Sequence, residues 1–132
     1  MPSNGLHDTP GPHRDQLTVY IPASDADGYK ACWVAPFNCT ITGMWAASSV
    51  TITGDATNTY NFDIDGPDST TEIGNIDLGA ASNITTLVPV AFTMAADVNV
   101  DAEAVISFYV DEIGTGQAGD ECITWIIDYQ SR

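Results

Sequence analysis

Short runs of alternating apolar and polar residues, each closed by a turn-forming cluster, constrain this chain more than any other feature. In one run the large side chains of Tyr60, Phe62 and Ile64 alternate with Asn61 and Asp63. Alternate residues of a β-strand point to opposite faces, so such a run has one buried and one solvated face. Clusters of Gly, Pro, Asp and Asn separate the runs, and no convincing helical period exceeds ten residues. The pattern predicts an all-β protein.

About eight strands are predicted from these runs, at residues 16–21, 29–34, 39–47, 60–64, 73–78, 87–94, 104–110 and 122–129. Residues 104–110 are almost entirely apolar, which predicts a central strand covered on both faces, and residues 122–129 are predicted to be central as well. Pro89 predicts an edge position or a bulge in its strand. Eight short strands favour a two-sheet antiparallel β-sandwich of the jelly-roll type.

One domain with an N-terminal arm is the predicted organisation of the 132 residues. Residues 1–15 contain three prolines, two glycines and no apolar period, which is typical of a flexible arm. Residues 16–132 form the predicted sandwich. The N-terminus lacks the apolar core of a secretory signal, and no run of eighteen apolar residues predicts a membrane span.

The charge of the chain narrows the choice of partners. There are 18 acidic and 3 basic residues, which give a formal net charge of −15. Nucleic acid binding needs cations that displace counterions from phosphate, so neither nucleic acid nor an anionic membrane is an expected partner. High acidity suits solubility, a basic partner or a high-salt habitat, and the sequence does not separate these three.

Carboxylates at Asp63, Asp65 and Asp68 have a calcium-like spacing. A calcium loop of the EF-hand type needs flanking helices and a glutamate further on, whereas strands flank this segment. We interpret it as a solvated strand face followed by a turn; a weak calcium site between loops is the alternative. Asp25 and Asp27 form a second, weaker candidate. No cofactor is predicted.

Catalytic chemistry is not indicated. His7 and His13 lie in the predicted arm, where neither is held against a nucleophile, and no Gly-x-Ser-x-Gly elbow is present. No particular pair of carboxylates is selected by the sequence for acid–base work. The glycine-rich loop 114–119 lacks the lysine and the following helix of a phosphate loop. The sequence therefore predicts a protein that is not an enzyme.

Cysteines and tryptophans are predicted to be structural. Cys32, Cys39 and Cys122 are odd in number and match no zinc spacing, so three mostly buried thiols are expected, with a Cys32–Cys39 bridge as the alternative. The three tryptophans lie within apolar runs, which predicts core packing. A sugar-stacking platform remains the alternative. The tryptophans are Trp33, Trp45 and Trp125.

Several loops occur in an order that resembles the small capsid decoration (cement) proteins of tailed bacteriophages. They are the Ala35-Pro36 strand end, the segment 40–45 (TITGMW), the loop 53–58 (TGDATN), the turn 101–103 before the strand from 105, and the loop 114–119 (GTGQAG). In that family an Ala-Pro strand end, a Thr-Gly-Ala-x-Thr-Asn loop and a late Gly-Thr-Gly loop recur in this order. The resemblance covers residues 30–129. Here Asp55 stands where the family loop often has alanine.

The resemblance implies a structural virion protein on the outer surface of a capsid. Such a protein clamps neighbouring major capsid subunits, associates as a homotrimer and needs no active site. Loops 53–58 and 114–119 are expected to face neighbouring subunits, together with residues near the N-terminus. The predicted partner-contact residues are His7, His13, Arg14, Asp55, Thr57, Asn58, Thr115 and Gln117. A carbohydrate-binding module, on a virion or secreted, and a receptor-binding or fibre-tip domain remain alternatives.

Overall fold

A computed structural model describes residues 11–79, 83–96, 98–117 and 119–132. These residues form ten strands and a short 3₁₀ turn at Ala23–Asp25. The strands are β1 Pro12–Ile21, β2 Gly28–Val34, β3 Cys39–Ser48, β4 Thr59–Asp65, β5 Glu72–Asp77, β6 Val90–Ala91, β7 Thr93–Met94, β8 Val98–Val100, β9 Val105–Ile113 and β10 Glu121–Ser131.

Two antiparallel sheets pack face to face and confirm the predicted all-β sandwich. Sheet A has the order β1-β10-β3-β6, with β8 also paired to β3. Sheet B has the order β2-β9-β4-β5-β7. The long strands β9 and β10 are each flanked by two others, as predicted for central strands. The jelly-roll assignment stays a prediction.

Aromatic side chains join the two sheets across the core. The ring of Phe108 lies 5.2 Å from that of Phe62 in sheet B and 5.4 Å from that of Trp125 in sheet A. All three side chains are fully buried. Because aromatic residues bury large areas and pair in tilted or edge-on arrangements, this column fixes the sheets against each other.

The first strand begins at Pro12, four residues before the strand start predicted at residue 16. Residues 12–15 continue the ladder with β10 and belong to the sandwich. The carboxylate of Asp15 points inward and accepts hydrogen bonds from Trp33 Nε1 at 2.7 Å and from the Tyr129 hydroxyl at 3.0 Å. Residues 1–10, the rest of the predicted arm, lie outside the described residues.

The predicted strand 87–94 is instead two short pieces that belong to different sheets. β6 pairs with β3 in sheet A, and β7 pairs with β5 in sheet B. Between them Phe92 is buried and donates its backbone N–H to the Met44 carbonyl at 2.9 Å. The chain therefore crosses from one sheet to the other here. Pro89 lies just before β6, which is an edge strand, and the edge prediction is confirmed.

The expectation that residues 104–110 are covered on both faces is wrong. Ile106, Phe108 and Val110 face the core and are fully buried. On the outer side of β9, Val105 is exposed and Tyr109 is half-buried. An apolar run predicts burial, but it does not say whether a second layer covers the outer face.

All three cysteines are free thiols, so the alternative Cys32–Cys39 bridge does not form. Cys39 is buried, as predicted. Cys32 and Cys122 are exposed, which contradicts the expectation for these two. They occupy outward positions of β2 and β10, where strand alternation places side chains on the solvent side.

Candidate interaction surface

Two loops that are distant in sequence meet at one end of the sandwich. Thr59, the first residue of β4, pairs with Ile113, the last residue of β9. The loop before Thr59 and the loop after Ile113 are therefore neighbours. We call residues 53–58 and 114–117 the loop cluster.

Side-chain hydrogen bonds hold the loop cluster together. The carbonyl oxygen of the Asn58 side chain accepts from the backbone N–H of Thr115 at 2.9 Å and from its hydroxyl at 3.0 Å. The Gln117 side-chain amide donates to the Thr53 carbonyl and to the Thr59 hydroxyl, each at 3.2 Å. Two hydrogen-bonded bridges across one contact make a preorganised surface rather than two independent loops.

Glycine is required at the closest approach of the two loops. Gly114 has φ +63°, and a Cβ added there would overlap the Thr57 carbonyl oxygen. Gly116 has φ +66°, and its Cβ would lie 2.7 Å from the Tyr60 ring. Only glycine combines this left-handed backbone with such close contact. Backbone conformation and close packing thus account for two of the three glycines in loop 114–119.

Asp55 forms the exposed outer part of the loop cluster. Its carboxylate accepts hydrogen bonds from the Thr57 backbone N–H and hydroxyl, both at 2.8 Å. These bonds lower the pKa of Asp55 below its ordinary value. The negative charge is thus held at a fixed position on an exposed loop, where a partner could donate a hydrogen bond to it.

Five of the predicted contact residues therefore lie together: Asp55, Thr57, Asn58, Thr115 and Gln117. The sequence named both loops, but their contact depends on the β4–β9 pairing, which the sequence did not reveal. The polar groups of Asn58 and Gln117 bond within the protein. Their role in any interface would be to position the loop cluster.

The other predicted contact residues lie elsewhere. His13 is in β1 opposite Tyr129, and its ring stacks on that tyrosine at 5.4 Å and meets Phe37 edge-on at 5.3 Å. Glu121, the first residue of β10, lies at the loop-cluster end of the sandwich, and Tyr129 is eight residues further along this strand. At about 3.4 Å per residue, His13 is therefore about 27 Å from the loop-cluster end. His13 is half-buried in the sheet, not in a flexible arm as predicted. His7 lies outside the described residues.

Arg14 makes two contacts within the protein on the outer face of sheet A. Its guanidinium forms a salt bridge with Asp128 at 2.6 Å and lies 5.5 Å from the centre of the Trp45 ring. Trp45 is half-buried, whereas Trp33 and Trp125 are in the core. The core prediction is confirmed for two of the three tryptophans and wrong for Trp45.

The outer face of sheet B is strongly acidic. Neighbouring outward positions of β4, β5 and β9 carry five carboxylates, which we call the acidic face: Asp63, Asp65, Glu72, Asp77 and Asp111. Partial burial, a side-chain hydrogen bond with Glu72 and the adjacent negative charges raise the pKa of Asp63 to about 7. Both salt bridges found among the described residues involve other carboxylates.

The calcium-like spacing does not produce one converging site. Asp63 and Asp65 lie on the acidic face, but Asp68 closes the following turn by accepting hydrogen bonds from the backbone N–H groups of Thr70 and Thr71. The Thr71 hydroxyl and these backbone bonds lower the pKa of Asp68 to about 2. Within the described ranges, no group of three or more His, Cys, Asp or Glu is placed to hold a metal ion.

Glu121 is an inward-facing carboxyl group that the sequence reasoning did not single out. It is buried at the start of β10, and its Oε2 has no hydrogen-bond partner within the described structure. Burial raises the pKa of this carboxyl. Alternation with Ile123 and Trp125 could have revealed its inward direction, because residues two apart share a face.

Comparison with known proteins identifies no relative of this chain. No protein-family model, curated protein or solved structure matches it. The part of the chain that the structure describes contains no helix with the length and apolarity needed to cross a membrane. Any function must therefore be argued from the sequence resemblance and from the surfaces described above.

Proposed function

We propose that this protein is a structural virion protein that binds the outside of a tailed-phage capsid and clamps neighbouring major capsid subunits. The observation that carries the proposal is the loop cluster. Loops 53–58 and 114–119 are two of the segments that carry the resemblance to decoration proteins, and their described residues form one hydrogen-bonded, mostly exposed surface. Such a surface can contact a capsid subunit with little loss of conformational freedom.

The sandwich also suits a mechanical role. Two antiparallel sheets joined by the Phe62–Phe108–Trp125 column resist sliding of one sheet over the other. A clamp transmits load between subunits and needs stiffness, with no requirement for a catalytic group. Many copies on one shell would add their weak contacts through avidity, so each contact can be modest. As the resemblance implies, the proposed form is a homotrimer on the virion surface.

Carbohydrate binding has less support from the arrangement of the aromatic residues. A sugar platform needs exposed aromatic faces in a row. Trp33 and Trp125 are in the core, and Trp45 is half-buried with the Arg14 guanidinium over its ring. The exposed Tyr20 and Tyr29 belong to different sheets, so they do not form one platform.

The test measures binding to phage heads that lack this protein. The proposal implies a phage that encodes both the chain and its major capsid protein, and heads assembled without the chain are the probe. We expect the purified protein to sediment with these heads at saturable stoichiometry. Asn58→Ala removes one of the two bridges between the loops and should weaken binding by about tenfold, equivalent to about 1.4 kcal/mol.

A matched substitution at the opposite end serves as the control. Asn99 is exposed and accepts a hydrogen bond from the Thr40 hydroxyl at 2.6 Å, so Asn99→Ala removes a comparable bond far from the loop cluster. Binding should be unchanged in this variant. Failure to sediment with heads, together with binding in a glycan array, would replace the proposal with the carbohydrate-binding alternative. Equal losses in both variants would refute the role of the loop cluster.

A further inference from the structure

The two outer faces of the sandwich differ sharply in charge. Opposite the acidic face of sheet B, the outward positions of β1, β10 and β3 beyond the Arg14–Asp128 pair form a block with no charged side chain. With the neighbouring Leu87 they form what we call the uncharged face: Gln16, Thr18, Tyr20, Trp45, Ala47, Leu87, Cys122, Thr124 and Ile126. In a chain with a net charge of −15, an uncharged sheet face is a distinct feature of the surface.

Among the described residues of β1 and β10, charged groups flank the uncharged face near the two ends of β10. At one end Asp128 is neutralised by its salt bridge with Arg14. At the other end the carboxylate of Asp120 accepts a hydrogen bond from the Tyr20 hydroxyl and another from the Ala23 backbone N–H, each at 2.9 Å. These two carboxylates are therefore both bonded within the protein.

A hollow and a protruding leucine lie side by side on the uncharged face. The hollow has a volume of about 240 Å³ and is lined in part by Thr18, Ala47, Cys122 and Thr124. A water molecule takes up about 30 Å³, so the hollow has room for a side chain. Leu87 stands at its rim with 75% of its surface exposed.

Leu87 is exposed on a backbone conformation that leucine rarely adopts. Leu87 has φ +62°, a left-handed conformation that is unfavourable for a leucine. Its backbone N–H donates to the Ser48 carbonyl at 2.8 Å, and Val88 N–H donates to the Thr85 carbonyl at 3.0 Å. Strained backbone of this kind concentrates at functional positions. Val88 beside it is also exposed, so two consecutive apolar residues face solvent here.

The charge distribution selects the kind of partner that can cover this face. Two copies of the chain repel each other, and contact through the acidic faces would bury carboxylates against carboxylates. Contact through the uncharged faces avoids this cost. The protrusion and the hollow lie side by side, so around a threefold axis each copy can supply the leucine to one neighbour and accept one from the other.

We propose that the uncharged face binds a second copy of this chain, with Leu87 of one copy seated in the hollow of the other. This inference rests on the self-association included in the proposed function, and it assigns that association to one surface. It leaves the acidic face and the loop cluster open to other partners. Tyr20 and Cys122 lie at neighbouring positions and become buried in the contact.

The first test compares Leu87→Asp with a matched variant on the other sheet. Aspartate tolerates the left-handed backbone better than most residues, and it places a charge in the contact. Val34→Asp is the control, because Val34 is also an exposed apolar residue but lies on the outer face of sheet B. Light scattering should give a multiple of the 14.0 kDa chain mass for the unmodified protein and for Val34→Asp, and a single chain mass for Leu87→Asp. Circular dichroism verifies folding.

The second test uses the two exposed cysteines and needs no change at the contact itself. Cys122 lies in the hollow, whereas Cys32 is on the outer face of sheet B. At high protein concentration Cys122 should react with a thiol reagent more slowly than Cys32, and on dilution to single chains the two rates should become similar.

A single chain mass for the unmodified protein at every concentration would overturn the inference. So would an unchanged mass for Leu87→Asp, or a Cys122 that reacts as fast as Cys32 at every protein concentration. The head-binding assay remains separate from these results. A protein that stays monomeric but still sediments with heads would refute self-association through this face and leave the proposed function standing.

Discussion

Replacement of Asp63 by asparagine should stabilise the protein at high pH and leave its stability unchanged at low pH. In the folded state Asp63 stands half-buried beside Glu72, Asp111 and Asp65, and its pKa is raised to about 7. An aspartate in an unfolded chain has a pKa of about 3.9. Between these two values the folded protein binds more protons than the unfolded chain, so stability falls as the pH rises from about 4 to about 7.

The magnitude follows from the same two values. A gap between about 3.9 and about 7 corresponds to at most about 4 kcal/mol of lost stability above pH 7. The Asp63 side chain keeps some contact with water, which screens the neighbouring charges, so we expect about 1–2 kcal/mol. An asparagine at this position would be neutral at every pH and similar in size to the aspartate. The Asp63→Asn variant should therefore be more stable than the unmodified protein by this amount at pH 8 and equally stable at pH 4.

The assay is urea unfolding followed by tryptophan fluorescence at pH 4 and pH 8. Asp55→Asn is the control, since it changes the net charge by the same amount on an exposed loop. Hydrogen bonds from Thr57 lower the pKa of Asp55, so loss of this carboxylate should reduce stability at pH 8. If Asp63→Asn were no more stable than the unmodified protein at pH 8, or if Asp55→Asn showed the same gain, the destabilising role of the Asp63 charge would be refuted.

Three further predictions concern the loop cluster, the buried carboxyl and the thiols. Gly114→Ala should lower the free energy of unfolding by about 1–3 kcal/mol, because its φ of +63° and its close approach to the Thr57 carbonyl oxygen exclude a side chain; an unchanged urea midpoint would contradict this. Glu121→Gln should raise stability at pH 8 by about 1 kcal/mol, since it removes a charge from a buried site; a loss of stability at pH 8 would show that the charge has an undetected partner. With a disulfide reagent and the protein diluted to single chains, Cys32 and Cys122 should react in the folded state, while Cys39, whose pKa burial raises, should react only on unfolding. Rapid reaction of all three would contradict the described core.

Strands with a clear period of two could be predicted from the sequence. In β4 the large residues Tyr60, Phe62 and Ile64 point inward and are fully buried, as the alternation indicates. The start of β1 was missed because its inward positions hold His13 and Asp15, which break the apolar period. Their inward direction becomes favourable only through partners distant in sequence, such as Trp33 and Tyr129, which donate to Asp15.

The candidate surfaces depend on long-range pairing, which one sequence does not disclose. Loops 53–58 and 114–119 were named separately, but their contact follows from the Thr59–Ile113 register. The uncharged face was not predicted at all, because it is assembled from outward residues of three strands that are distant in sequence. Its existence could be inferred only once β1, β10 and β3 were known to be neighbours.

The most direct test of the proposed function is the copy number of this protein in purified phage particles, measured by quantitative mass spectrometry against the major capsid protein. A capsid clamp should be present in a fixed ratio to the capsid subunits over the whole shell. That ratio should persist after the tails are removed. Absence from the particles, or only the few copies expected of a receptor-binding protein at a vertex or tail, would contradict the account.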